Sequence, residues 1–264
     1  LIGGAVFMKM SRNFADLKST DIDHRLNPSS ILLAPVGAIE QHGPHLPLSV
    51  DLVIAETTVS RIIAERGEEL DLWALPPIAI SKSNEHVGFA GSLSLRAETL
   101  LALLDDLGSG IKETPIRKVV FVNGHGGNSS LLNVACRDLR VAHGLMTFLM
   151  HPFIPPDQGG HSPPSEMGMG IHGGYEETSV MLYLCPDLVD MNSALRNIPE
   201  KLGKNRYVRF GGTTSFGWLA SDFGKYGHIG DPTGATREAG QELFAAALEF
   251  VGDQLEEVSK FSFL

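Results

Sequence analysis

Four apolar runs recur along the first part of the chain, and polar or amphipathic segments separate them. Each run is short and nearly continuous in aliphatic and aromatic residues, which is typical of strands buried on both faces of a parallel sheet. The predicted strands are residues 31–36, 72–80, 119–122 and 145–150.

Helical patterns lie between these strands, at residues 52–65, 97–112 and 129–142. In each of them apolar side chains recur at the spacing of one helix face. An alternation of strands and helices is typical of βαβ units. The pattern therefore predicts an α/β fold, a three-layer sandwich with a mostly parallel central sheet.

Two glycine-rich segments interrupt this regular pattern. Residues 152–170 are rich in Pro and Gly without periodicity, so we expect a long loop of the kind that often covers an active site. Residues 211–234 form the second segment, and an amphipathic C-terminal helix follows it. Because we find no linker or repeat that divides the sequence, we interpret residues 1–264 as a single domain, with residues 1–10 as an extension or an upstream start.

The composition narrows the class of protein. A hydrophobic share of 43% and a charged share of 20% are ordinary for a globular chain and do not suggest a membrane protein. The net charge of -10 would repel a nucleic-acid backbone. Cys136 and Cys185 lie in apolar stretches and are predicted to be buried free thiols. The N-terminal segment lacks the pattern of a signal peptide, so we expect a cytoplasmic location.

Ligand-type side chains follow the first predicted strand. In an extended segment residues two apart point to the same side, so Glu40 and His42 can present an oxygen and a nitrogen to one point. This donor set suits zinc, manganese or iron. Asp51 opens the next predicted helix, where two interpretations remain: an N-cap, or a carboxylate that bridges two cations.

A second cluster, NGHGGN at residues 123–128, follows the third predicted strand. Ligand sites of open α/β sheets collect at this edge. The glycines could cradle a phosphate at the helix N-terminus, although the spacing matches neither a P-loop nor a dinucleotide motif. Alternatively, the turn projects His125 beside Glu40 and His42. Two strand ends that both deliver ligand-type side chains favour a metal site.

A third cluster, HGGYEETS at residues 172–179, precedes another apolar helical segment. Glu176 and Glu177 stand in the first turn of that helix, where the helix dipole favours carboxylates irrespective of function. His172 stands just outside the helix, beside two glycines. A histidine in this position is a candidate proton shuttle.

In chain order, the segments EQHGPHLPLSVD, NGHGGN, HGGYEETSVML and GDPTGATREAG resemble the motifs of the creatininase family of amidohydrolases. The resemblance extends over about residues 14–250. It implies a layered α/β fold, assembly into a homo-oligomer, specifically a hexamer, and two divalent cations at the carboxyl ends of the strands.

The resemblance also implies the metal ligands. One cation would be bound by Glu40, Asp51 and His125, and the other by His42 and the bridging Asp51. Creatininase proper has a further glutamate ligand where this chain has Gly127. We predict that Glu177 takes its place, with water as the alternative.

The segment at residues 83–92 resembles a substrate loop of the family. Ser83, His86 and Gly126 are the predicted substrate contacts, although a structural role for His86 is an equal alternative. Creatininase proper places a tryptophan and an acidic pair before its catalytic histidine, whereas residues 168–171 here read GMGI. We therefore expect a substrate other than creatinine, as in the wider family of formamide deformylases and the mycofactocin-maturation peptidase.

These observations predict a metal-dependent amidohydrolase that acts on a small or non-peptide amide. By resemblance, a hydroxide bridging two cations (zinc, manganese or iron) attacks the carbonyl, and His172 and Glu177 are the catalytic residues. His172 would give a proton to the leaving nitrogen. Two alternatives remain: a family member whose active site has decayed to a binding or assembly role, and a nucleotide-binding protein.

Overall fold

The computed structural model describes residues 11–263, so the extension predicted for residues 1–10 lies outside the described part of the chain. Its strands are β1 (Ile31–Val36), β2 (Leu72–Ala74), β3 (Lys118–Asn123) and β4 (Met146–Met150). Its helices are α1 (Ile22–Arg25), α2 (Val50–Arg66), α3 (Ala97–Lys112), α4 (Ser129–His143), α5 (Tyr175–Leu184), α6 (Glu200–Gly203) and α7 (Arg237–Lys260).

The four strands form one sheet in the order β2-β1-β3-β4, and all three pairings are parallel. This confirms the predicted parallel α/β architecture. In the central pairing, Val36 of β1 lies opposite Asn123 of β3. The segments that carry Glu40 and His125 therefore leave the sheet side by side at its carboxyl edge.

Alternation along β1 divides the core into two layers, one on each face of the sheet. Leu32 and Val36 pack in one cluster with side chains of α3 and α4. Ile31 and Leu33 point the other way and pack with side chains of α2 and α7. Because successive side chains of a strand face opposite sides, one apolar strand serves both layers. The observed order of helix, sheet and helix confirms the predicted three layers.

Strand β2 is shorter than predicted, because it ends at Ala74 and the sequence pattern extended it to residue 80. Pro76 and Pro77 have no backbone N–H, so they cannot continue the ladder of hydrogen bonds. Beyond them, Ile78 makes one isolated bridge to Val36. Of the predicted run, Leu72 and Trp73 are buried, whereas Pro76 and Ile80 are exposed, so the apolar pattern overestimated both the length and the burial of this strand.

The long loop at residues 152–170 contains only two short 3-10 turns, as its composition predicts. Glu166 is buried within it and anchors it to the rest of the fold. Its Oε1 accepts hydrogen bonds from the backbone N–H groups of Tyr175 and Asp231, each at 2.8 Å. Since Tyr175 is the first residue of α5, this hydrogen bond holds the start of that helix against the loop.

Two smaller expectations concern the thiols and membranes. Cys136 and Cys185 are free thiols, but both are half-buried, which corrects the prediction of full burial. Among the helices of residues 11–263, none has the length and apolarity needed to cross a bilayer.

Candidate metal centre

The four ligands predicted from the first two motifs lie together at the carboxyl edge of the sheet. His42 Nε2 is 3.1 Å from Asp51 Oδ1, and His125 Nδ1 is 3.3 Å from Glu40 Oε1 and 3.4 Å from Asp51 Oδ2. All four side chains are buried. Asp51 is the second residue of α2 and follows the N-cap Ser49, so the N-cap interpretation of Asp51 was wrong.

Two glycines allow α2 to approach the strand ends this closely. A Cβ atom at Gly37, directly after β1, would stand 2.4 Å from Leu52 Cα. A Cβ atom at Gly124, directly after β3, would stand 2.3 Å from the backbone oxygen of Asp51. Both distances are shorter than any real contact, so only glycine leaves room for the start of α2. The glycines thereby place Asp51 between Glu40 and His125.

Two carboxylate oxygens in this cluster are buried, and within residues 11–263 they have no hydrogen-bond partner: Glu40 Oε1 and Asp51 Oδ2. Nearby imidazole nitrogens lie 3.2 to 3.4 Å from them but are not aligned for hydrogen bonding. An unpaired buried oxygen is costly, and in native proteins it usually has a ligand or water. With Nδ1 of His125 they form one group whose ligand atoms lie within 4.8 Å of one another. The residues present therefore fit a divalent cation.

A second group of ligand atoms joins His42 to His172 and Glu177. Glu177 Oε1 is 3.9 Å from His42 Nε2, while Glu177 Oε2 accepts a hydrogen bond from the backbone of Gly173. The helix α5 thus brings the third motif to the same place as the first. Glu177 therefore lies beside His42, and its role as the ligand that replaces the one missing at Gly127 stays a prediction.

Gln41 sets the orientation of two histidines, of His86 through its side chain and of His172 through its backbone oxygen. Gly43 N–H donates to Gln41 Oε1 at 2.8 Å, so the Gln41 amide nitrogen faces His86 Nδ1 at 2.9 Å and donates to it. The proton of His86 is then on Nε2, 3.2 Å from Glu40 Oε1. His172 Nε2 donates to the backbone oxygen of Gln41 at 2.5 Å. The unprotonated Nδ1 of His172 therefore faces Glu40 Oε1, at 3.7 Å.

Burial and neighbouring charges shift the pKa values of the cluster in opposite directions. Burial raises the pKa of Glu177 to about 7. Burial likewise raises the pKa of Asp51, to which the charge of Glu40 adds. Burial by itself would lower the pKa of His42, but the charge of Asp51 and its hydrogen bond outweigh this effect and raise the pKa of His42 to about 10. Burial, with His86 and His42, lowers the pKa of His172 well below its ordinary value.

A cavity of about 470 Å³ opens onto the cluster. Its polar lining residues include Lys82, Asn84, Glu85, Asp157 and Gln158. Its apolar lining residues include Leu131, Pro155, Ile171, Phe216, Trp218 and Leu219. The long loop and the second glycine-rich segment therefore both reach the site, although neither supplied a predicted site residue.

The three predicted substrate contacts differ in position. His86 and Gly126 line the cavity. Ser83 is buried, and its hydroxyl donates to Glu40 Oε2, so its predicted contact with substrate is corrected to support of a metal ligand. The reason is local: the 3-10 turn at Asn84–His86 starts at Ser83 and turns the neighbouring side chains, rather than Ser83, towards the cavity.

Sequence reasoning missed Gln41, Glu85 and Trp218. Gln41 and Glu85 stand inside segments already singled out, next to predicted site residues, so their proximity was the available signal. Trp218 stands in a glycine-rich segment without periodicity. No local pattern marks which aromatic residue of such a loop faces a cavity.

Known proteins with similar sequences point to one group. A family profile described as creatininase, creatinine amidohydrolase, matches residues 15–255. The mycofactocin precursor peptide peptidase of Mycobacterium ulcerans is 38% identical over 241 residues, which cover 88% of this chain and 85% of that protein. The chain belongs to the creatininase family. The creatinine amidohydrolase of Pseudomonas putida is 32% identical over 188 residues, covering 64% of this chain and 70% of that protein.

Solved structures of the creatininase family share the fold. A creatinine amidohydrolase (creatininase) structure superposes with a TM-score of 0.72 at 22% identity, covering 96% of this chain and 99% of that one. A structure titled "Creatininase Mn" gives a TM-score of 0.71 at 23% identity, covering 94% and 98%. Membership confirms the predicted class, a hydrolase acting on carbon–nitrogen bonds. The carboxylates around His125 also argue against the alternative of a phosphate cradle, since they would repel the anion.

Proposed function

We propose that this creatininase-family hydrolase binds two divalent cations and uses them to hydrolyse an amide bond. The observation that carries the proposal is the pair of buried, unpaired oxygens, Glu40 Oε1 and Asp51 Oδ2, inside groups of ligand atoms at the base of a cavity. In a purely structural network such oxygens would be paired with donors.

Two sets of residues would each hold a cation, and Asp51 would belong to both. Glu40, Asp51 and His125 would hold the first, and His42, Glu177 and Asp51 the second. Cations bound here would supply an acidified water and a polarised carbonyl oxygen. Neighbours titled as Zn-Zn and Mn creatininases support zinc or manganese, and the mixed nitrogen and oxygen donors also suit iron.

His172 would move the proton in this reaction. Its Nε2–H is held by the backbone oxygen of Gln41, so its Nδ1 is the atom that faces the cluster. From this position Nδ1 can take a proton from the attacking water and return it to the departing nitrogen. Glu177 has one oxygen fixed by Gly173 N–H and the other directed towards His42, which suits a ligand that also orients the water.

The substrate would present its amide at the base of the cavity and an apolar group to the wall formed by Phe216, Trp218 and Leu219. Relatives named mycofactocin precursor peptide peptidase, at 33 to 38% identity, support an amide within or at the end of a peptide as well as the predicted small amide. The hexamer and the cytoplasmic location implied above remain predictions, which sedimentation and cell fractionation would test.

The test combines metal analysis with a substrate screen. Protein purified with added manganese or zinc should bind two cations per chain and hydrolyse at least one member of a panel of lactams, formamides and short peptides. A folded His125→Ala variant should lose both metal and turnover, whereas His172→Ala should lose turnover and retain metal. One bound cation with no turnover across the panel would instead favour the decayed-site alternative.

A further inference from the structure

The turn after β3 contains a glycine whose missing side chain makes room for a carboxylate from another segment. A Cβ atom at Gly127 would stand 1.8 Å from Glu85 Oε1 and 2.5 Å from His125 Nε2. Gly127 stands in a 3-10 turn with no left-handed backbone angle, so its conformation suits any residue. Space, rather than conformation, therefore requires glycine here.

The carboxylate that fills this space belongs to Glu85, in the 3-10 turn Asn84–His86. Glu85 Oε1 is 3.3 Å from His125 Nε2, and Glu85 Oε2 is 3.7 Å from Lys82 Nζ. The backbone oxygen of Lys82 is also close to His125 Nε2, at 3.0 Å. Two acceptors thus face the same ring nitrogen of His125, while its other nitrogen faces the cluster of carboxylates.

The hydrogen bond to the Lys82 backbone oxygen fixes the proton of His125 on Nε2, the atom that Glu85 Oε1 also faces, and leaves the lone pair on Nδ1. Nδ1 is the nitrogen that lies 3.3 Å from Glu40 Oε1 and 3.4 Å from Asp51 Oδ2, where the first cation would bind. A carboxylate behind a histidine ligand orients the ring and makes its free nitrogen a stronger donor to a metal. Glu85 has the position and the charge for this task.

We propose that Glu85 is a positioning residue that orients His125 towards the first cation, and that Gly127 is required because it leaves room for the Glu85 carboxylate. This inference rests on the proposed function, since it presupposes a cation at His125. It assigns roles to two residues that do not themselves touch the cation. It also couples two segments of the chain, residues 82–86 and 123–128, through a single contact.

Cation affinity of the metal-free protein is the measurement, made by competition titration with manganese and with zinc. Glu85→Ala should weaken binding by roughly 10- to 100-fold, the usual cost of losing such a partner. Glu85→Gln should weaken binding less, because its amide oxygen can keep the position of Glu85 Oε1 facing His125 Nε2, although the charge is lost. Gly127→Ala should weaken binding at least as much as Glu85→Ala, because the added methyl group would displace the Glu85 carboxylate and would also crowd His125 Nε2, 2.5 Å away.

The double variant Glu85→Ala, Gly127→Ala should bind no more weakly than Gly127→Ala alone, since that single variant has already lost the Glu85 contact. Gly126→Ala, in the same turn, is the matched control for cation affinity alone. Its Cβ would meet only Pro155, at an ordinary 3.5 Å, so its affinity should equal that of the wild type. The thermal midpoint of each metal-free variant serves as the control for folding.

Three outcomes would overturn the inference. Wild-type affinity in Glu85→Ala would exclude the positioning role while leaving the proposed function intact. An equal loss from Gly127→Ala with and without Glu85 would show that the methyl group acts by another route. A wild-type protein that binds neither manganese nor zinc would overturn the proposed function and this inference together. Should Gly127→Ala fail to fold, Glu85→Ala and Glu85→Gln decide the question by themselves.

Discussion

The two ends of the central sheet each enclose carboxylates, and the surroundings of those carboxylates differ. At the amino end, Asp71 precedes β2 and accepts hydrogen bonds on both oxygens. Its donors are Arg12 Nη1 at 2.9 Å, Ser30 Oγ at 2.5 Å, Asn27 Nδ2 at 3.0 Å and Trp73 Nε1 at 3.0 Å. This network joins the chain before β1 to the chain before β2.

At the carboxyl end, by contrast, Glu40 and Asp51 are buried and each has an unpaired oxygen, considering residues 11–263. A carboxylate whose hydrogen bonds are satisfied stabilises the fold, whereas one that is left unsatisfied costs stability unless a ligand completes it. The amino end of the sheet therefore contributes to the stability of the fold, whereas the proposed cations would complete the unpaired oxygens at the carboxyl end. Five experiments, in order of expected effect, separate these roles.

The largest effect is expected from Glu40→Gln. Removing a residue that only supports a metal ligand typically lowers metal affinity or activity by 10- to 100-fold. Loss of a direct ligand should therefore lower cation affinity and kcat/KM by more than about 100-fold. The unfolding free energy of the metal-free protein should change by less than about 1 kcal/mol, because the unpaired oxygen has no hydrogen bond to lose. Titration and chemical denaturation measure the two quantities. A variant with wild-type affinity would remove Glu40 from the ligand set.

Removal of the cations should have the next largest effect. A chelator should abolish hydrolysis, and manganese or zinc should restore it. A ligand at 100 times its dissociation constant stabilises a protein by about 2.7 kcal/mol, which corresponds to roughly 5–10 °C in melting temperature for a chain of this size. Calorimetry with and without cations measures the shift. An unchanged melting temperature at saturating cation would contradict a site at this end of the sheet.

Asp71→Asn should do the opposite of Glu40→Gln. It should lower the unfolding free energy by about 1–2 kcal/mol, a modest figure because Asp71 is partly exposed, and leave cation affinity and kcat/KM unchanged. Denaturation in urea and the same titration measure these effects. A loss of cation affinity in this variant would show that the two ends of the sheet are coupled.

The Asp71 network also predicts a pH dependence. Burial raises the pKa of Asp71, but hydrogen bonds from Ser30, Arg12 and Trp73 outweigh it and hold the pKa below its ordinary value. The folded state therefore binds this proton less readily than the unfolded state does, so Asp71 stabilises the fold at neutral pH. That contribution should disappear as the pH falls below about 4. Stability curves of the wild type and Asp71→Asn should accordingly converge in acid.

The smallest effect is expected from Trp218→Ala. The Trp218 ring lines the apolar wall of the cavity and packs edge-on against His86, with ring centroids 6.3 Å apart, so it is not placed to hold a cation. KM should rise by roughly tenfold or less, as for the loss of a modest apolar contact, while cation affinity stays unchanged. In Trp218→Phe, which keeps an aromatic ring, KM should rise less than in Trp218→Ala. A change in cation affinity would instead connect this wall to the metal centre.

Much of the site could be predicted because its parts are local. Glu40 and His42 alternate along one extended segment, and His125 follows a buried strand whose carboxyl end reaches the same edge of the sheet. The position of Glu177 was harder to predict. It depends on the position of the start of α5, which is held by a hydrogen bond to Glu166. Glu166 lies in a loop without periodicity, so no sequence pattern indicated this contact.

The parallel sheet, its layers and the candidate ligand residues could be predicted from the amino-acid sequence, because periodicity and strand ends are properties of neighbouring residues. Three features became visible only in the folded chain: Ser83 supports Glu40, β2 stops before its prolines, and Glu85 occupies the space beside Gly127. Each of these depends on side chains from distant segments competing for the same few ångströms. Local pattern does not encode that competition, since it is resolved only when the segments pack.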